Sequence, residues 1–275
     1  MQQYMQFWVL HSFAHVTQLP YELRCFPVSF WMQFKKLVIT FKALNGTMAS
    51  LLQDCLSLKE SAYPTRLDKE VKELAGKHPN LVLLQLDVTV LESIQAALKE
   101  VEKCVEEAGL TLLINNAGHW FFENLENENA KDMRTLYSVN TIGPLQMSQA
   151  FLPLLKKAAQ RSPRQGLSCS KAAIINISSA LGSVEVVLIW EKAQAVSYRC
   201  SKAALNMLTK CQSLEYPANG ILSVCIHPGL VNTHRNPYPE ITVEESSKGI
   251  VTVLSMLSEE DNGTFLDWLG CRVPW

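Results

Sequence analysis

"TLLINNAG", residues 111–118, is a short apolar run that ends in two amides and two small residues. Its hydrophobicity is continuous rather than alternating, as in a strand buried on both faces of a helix-covered parallel sheet. The same design recurs on either side. "LVLLQLD" (81–87) lies upstream, and "AAIINISS" (172–179) and "ILSVCIHPG" (221–229) lie downstream. Helical stretches separate these runs. Leu91, Ile94, Ala97, Leu98, Val101 and Val105 recur at helical spacing, a long helical region covers about 129–160, and another helix starts at Tyr198. Strands alternating with helices predict a single doubly wound α/β domain with a mostly parallel sheet.

Such sheets bind ligands beyond the carboxyl ends of their strands. The polar residues Asp87, Asn115, Asn116, Ser178, Ser179, His227 and Thr233 fall at those ends, where a purely structural role would scatter them. "SYRCSKAALNML" (197–208) adds a phenol and an ammonium four residues apart. On a helix, Tyr198 and Lys202 share one face. A neighbouring cation favours the phenolate, so Tyr198 is expected to titrate below its usual value of about 10 and to serve as a general acid or base. The pair alone is too short a signal to separate this role from that of ordinary surface residues.

Composition narrows the function classes. Hydrophobic residues make up 48% and charged residues 19% of 275, enough for a sizeable core. A net charge of -1 offers no field for nucleic acid or an anionic membrane. Eight cysteines and six histidines show neither C-x-x-C nor H-x-x-x-H spacing, so we expect free thiols, a reducing compartment and no metal site. The opening "MQQYMQFWVLHSFAHVTQLPY" lacks a basic start and a long unbroken apolar span, so a cytoplasmic protein is expected.

From about Lys69 onward the chain resembles the short-chain dehydrogenase/reductase family. "NNAG" (115–118), "NISS" (176–179), "YRCSK" (198–202) and "HPGLVNT" (227–233) occur in the family's order. "LQLDVT", "ISSALGS" and "NGTFLDW" are similar to the carbonyl-reductase branch that includes sniffer-like enzymes. The resemblance implies a Rossmann-like fold and reduction of a small-molecule carbonyl to an alcohol with NADP(H), NAD not being excluded. It implies Tyr198 as proton donor, Lys202 as its pKa-lowering partner and ribose ligand, and Ser179 as hydrogen-bond donor to the substrate oxygen. Asn140 matches the asparagine that anchors a relay water; it reads equally as a helix kink before Gly143 and Pro144, and the two roles are compatible. Implied cofactor contacts are Asp87 and Val88 at the adenine, then Asn115, Ala117, Gly118, Tyr198 and Lys202, and lastly Pro228, Gly229, Val231 and Thr233. A homodimer is compatible with the resemblance.

Two departures stand out. Ser179 and Tyr198 are 19 positions apart, and the insert between them, with Trp190, reads as a substrate-pocket wall or as a surface loop packing its own apolar residues. More seriously, T-G-x-x-x-G-x-G, the family's pyrophosphate-cradling turn, is absent. Its nearest counterpart is "LVITFKALNGTMASLLQDCLSL" (37–58), where Phe41 replaces the first glycine and Gly46 stands alone. We expect residues 1–36 to be an atypical segment and 37–275 the domain. "LVIT" (37–40) is expected beside "TLLIN" (111–115), and "MASLLQDCL" as the following helix. Two function classes remain: a nicotinamide-dependent carbonyl reductase, or a catalytically inactive relative that acts as a binding or regulatory protein.

Overall fold

The computed structural model describes residues 6–11, 37–42, 81–121, 123–232 and 240–275. Among them seven strands form one sheet in the order β3-β2-β1-β4-β5-β6-β7. In chain order these are β1 Gln6–His11, β2 Leu37–Lys42, β3 Leu81–Leu84, β4 Leu112–Asn115, β5 Ala173–Ile177, β6 Leu222–His227 and β7 Phe265–Asp267. The helices are α1 Leu91–Val105, α2 Ala130–Tyr137, α3 Gly143–Arg161, α4 Val196–Glu215 and α5 Val243–Met256. This is the doubly wound, mostly parallel α/β architecture that the alternation predicts.

The continuous apolar runs become fully buried strands. β5 and β6 are buried at every position. Leu113 and Ile174 pack with Leu86, Val101, Met147 and Phe151 beneath α1 and α3 in one core. α1 buries Ile94, Ala97, Val101 and Val105, the face its spacing marks. Within the long helical region, residues 138–142 form a π-helical turn between α2 and α3. Such turns widen the helix by one residue and often sit at functional positions.

β2 corrects one expectation. Leu37–Lys42 is a strand, but its neighbours are β1 and β3. The place beside β4 belongs to Gln6–His11, which pairs antiparallel with Trp8 opposite Ile114 and Leu10 opposite Leu112. Gln6–His11, in the segment set apart as atypical, therefore lies in the same sheet. β1 and β2 are parallel to each other and opposed to every other strand. Antiparallel pairing saturates the N–H and C=O groups of β3 and β4 as fully as parallel pairing, so sheet formation alone does not select direction. The helix expected over "MASLLQDCL" lies outside the described residues.

Candidate active site

α4 supplies the phenol and the ammonium. Residues 196–215 contain no glycine or proline, and Ala203, Ala204 and Leu205 favour the helix. Its N-cap, Ala195, is held at φ 44° and provides no capping side chain. The cap comes from elsewhere in the chain: Glu128 Oε2 accepts from Ser197 N at 2.9 Å. A carboxylate suits the positive end of the helix and fixes the turn that carries Tyr198.

Tyr198 and Lys202 share a face as predicted, with Nζ 5.8 Å from the phenol ring centroid. Lys202 is 3% exposed, and its Nζ donates to Ile177 O, the last carbonyl of β5, at 2.8 Å. Burial lowers its pKa to about 8. Tyr198 differs from expectation. Burial raises its pKa to about 12, and the one opposing influence is a hydrogen bond with Ser179. The low-dielectric site disfavours the phenolate more than its polar neighbours favour it.

β5 places Ser178 and Ser179 at its carboxyl end. Ser178 Oγ donates to Asn206 Oδ1 at 2.5 Å and holds the strand end to α4. Ser179 Oγ accepts from Leu181 N at 3.2 Å, and Ser179 is the polar neighbour that opposes the upward shift of Tyr198. Asn140 lies in the π-helical turn with no exposed surface. Its Oδ1 accepts from His119 N at 2.8 Å, and its Nδ2 donates to His119 O at 2.8 Å and Ser201 Oγ at 2.9 Å. Ser201 Oγ in turn donates to Tyr198 O at 2.8 Å. Ser201 and Glu128 thus brace the site, and no feature of the sequence singled out either.

The implied cofactor contacts divide. A Cβ added at Gly118 would stand 3.6 Å from Lys202 Nζ and 3.7 Å from Asn140 Oδ1. These are ordinary contact distances, so Gly118 lies directly against the two polar side chains. Gly229 follows β6 at φ 88°, where a Cβ would crowd Ile241 Cδ1, so a side chain at this turn is strained. Pro228 is held by Ser246, and Val231 is 4% exposed beside Ile241. Thr233 lies outside the described residues. Asn115 turns inward, donating to Asn176 Oδ1 at 2.7 Å and Ser148 Oγ at 3.2 Å, and Ala117 is a core residue. Asp87 Oδ1 accepts from Thr89 N and Oγ1, and the Val88 side chain has no exposed surface. Val88 as a whole is buried and presents no surface to an adenine.

Around Tyr198, the Trp120 ring lies 6.1 Å away. The insert is tied to α4 by Arg199, whose Nε donates to Gln194 O and whose Nη2 donates to Leu188 O and Ala193 O. Arg199 also lies over Trp190 at 5.5 Å. Val184, Val187 and Leu188 of the insert are exposed, so part of it presents apolar side chains to solvent rather than packing them. His227, at the end of β6, is kept neutral by burial, with a pKa near 4. Among the described residues no cluster could hold a metal ion, and no helix is long and apolar enough to cross a membrane.

Known proteins are similar to this chain in sequence and fold. The NADPH-bound carbonyl reductase from chicken fatty liver is 41% identical over all of both chains, with a TM-score of 0.75. Carbonyl reductase Sniffer of D. melanogaster is 30% identical across 84% of this chain and 95% of its own, with a TM-score of 0.74. An uncharacterized oxidoreductase of Schizosaccharomyces pombe is 29% identical over 233 residues, 78% of this chain and 86% of the relative. Residues 56–240 match the family described as short chain dehydrogenase. This chain is a member of the short chain dehydrogenase family.

Proposed function

We propose that this chain is an NADP(H)-dependent carbonyl reductase in which Tyr198 protonates the nascent alkoxide of a small aldehyde or ketone. The carrying observation is the placement of Tyr198 and a buried Lys202 on one face of α4, with the ammonium 5.8 Å from the phenol ring and anchored to the end of β5. The bound nicotinamide supplies the hydride. Ser179 donates a hydrogen bond to the carbonyl oxygen, where negative charge develops. Tyr198, protonated up to a pKa of about 12, holds the proton that this oxygen takes. Charged Lys202 stabilises the phenolate left behind and presents its ammonium to the ribose hydroxyls. Asn140 clamps the His119 main chain and keeps the loop after β4 clear of the nicotinamide. Trp120 and the Trp190-bearing insert wall the substrate, which suits an apolar carbonyl compound. The carbonyl reductases among the similar structures support this reading, as does the NADPH held by the chicken enzyme.

A second reading has its own support. β1 and β2 run against the sheet, which removes the family's phosphate turn from the site edge and fits an inactive relative with a binding or regulatory role. Incubating the purified chain with NADPH and a panel of aryl ketones and aldehydes separates the two. Alcohol formation that Tyr198→Phe abolishes is expected; no product from any carbonyl at saturating NADPH would favour the inactive relative. Cytoplasmic residence and a homodimer are part of the proposal, testable by fractionation and by light scattering.

A further inference from the structure

In a doubly wound sheet the pyrophosphate is held by the turn that leaves the carboxyl end of the first strand, because backbone N–H groups there face the ligand. The carboxyl end of β4, at Asn115, leads to Gly118 and the site. β1 pairs with it from Trp8 opposite Ile114 to Leu10 opposite Leu112, so the chain leaves β1 at the far edge of the sheet. β2 does the same, with Phe41 opposite Leu81 and Val38 opposite Leu84. Neither strand has its carboxyl end at the edge where Ser179 and Tyr198 stand.

The sequence offers no substitute. Ahead of Gly109 the glycines are Gly46 and Gly76, and neither lies in a closely spaced glycine set. α1 does begin near that edge, but its first turn carries Glu92, whose charge opposes an anion. Asp87 and Val88, on the adenine side, offer one carboxylate committed to Thr89 and one buried side chain. Among the described residues the nicotinamide side is built and the phosphate side is not.

We propose that this chain recognises reduced nicotinamide nucleotides through the nicotinamide-riboside half alone. NADPH and the reduced mononucleotide, NMNH, then bind with dissociation constants within about tenfold of each other. Three N–H groups on a pyrophosphate would instead separate them by about three decades or more. The inference rests on the reading of Lys202 and Gly118 as a nicotinamide site.

Both reduced nucleotides fluoresce at the nicotinamide, so equilibrium titration of the full chain reads each without turnover. Adenosine 2′,5′-bisphosphate serves as a competitor for the adenine half. The expected result is weak, near-equal binding of NADPH and NMNH with no displacement by the bisphosphate. NADPH binding about a thousandfold tighter than NMNH, or displacement by the bisphosphate, overturns the inference and leaves the nicotinamide reading standing. No binding of either reduced nucleotide at about millimolar concentration overturns that reading, and the inference with it.

Discussion

The sheet has two unlike parts. β4 to β7 run one way, are buried almost throughout, and each of β4, β5 and β6 ends in residues of the site. β1 and β2 lie between β4 and the edge strand β3 and run the other way. Both parts satisfy their backbone hydrogen bonds, so both serve stability. Only one serves the site, because a ligand meets the ends of strands and not their middles. Occupying a position in a sheet and pointing the correct way along it are separate requirements, and this chain meets the first without the second in its N-terminal part.

The largest expected effect tests that separation directly. Replacing residues 1–65 by a family-type strand, T-G-x-x-x-G-x-G turn, helix and second strand should tighten NADPH binding by about three decades, through several N–H bonds to a charged group. NMNH affinity should stay where it is. A chimera in which both tighten together would show that the N-terminal part shapes the nicotinamide half too.

Within the parallel part, Tyr198→Phe should lower carbonyl reduction by about two to four orders of magnitude, the usual cost of losing a general acid. The far-ultraviolet dichroism should be unchanged, since one hydroxyl is lost from an otherwise intact ring. Retained turnover would take Tyr198 out of the chemistry.

Gly229→Ala probes the turn that does point the correct way. A φ of 88° and the nearby Ile241 and Trp268 side chains make the substitution strained and crowded. A loss of about 1–3 kcal/mol is expected, read as a lower urea midpoint at unchanged slope. An unchanged midpoint would mean that the loop after β6 shifts freely.

The smallest effect concerns Lys202. Its folded pKa of about 8 lies below the ordinary 10.5, so between these values the folded state binds fewer protons than the unfolded one. Stability should therefore rise as pH climbs from about 8 towards 10.5, the penalty being fully present below 8. Tyr198, raised to about 12, acts oppositely above 10, where the folded state binds more protons. Lys202→Met should flatten the rise, as followed by urea unfolding across pH. Reduction itself should decline as pH passes about 8 and the ammonium loses its proton.

Strands β3 to β6 and the helices between them were legible because buried strands and amphipathic helices each leave a period or its absence in the sequence. The pairing of Tyr198 with Lys202 was legible through their spacing on a helix. Direction in the N-terminal part was not, since "QFWVLH" and "LVITFK" read the same whichever way they pair. The braces at Glu128 and Ser201 were invisible too, being contacts between residues far apart in the chain whose types mark no special role. The raised pKa of Tyr198 was misjudged because sequence shows a neighbouring cation and hides the dehydration around it.

The inward turn of Asn115 has one more consequence. β4 and β5 are stacks of interchangeable aliphatic residues, and nothing in Leu113, Ile174 or Ile175 distinguishes one alignment from the next. Asn115 sits directly across from Asn176, and behind them Thr209 and Gln212 of α4 and Ser148 of α3 form a connected set of amides and hydroxyls, with Asn115 Oδ1 left without a partner. Slide one strand by a single residue and every side chain changes face, leaving these groups opposite hydrocarbon and without partners. The cluster therefore works as a keyway. It makes misaligned compact states costly during folding, and so delivers Ser178 and Ser179 to the correct height at the end of β5.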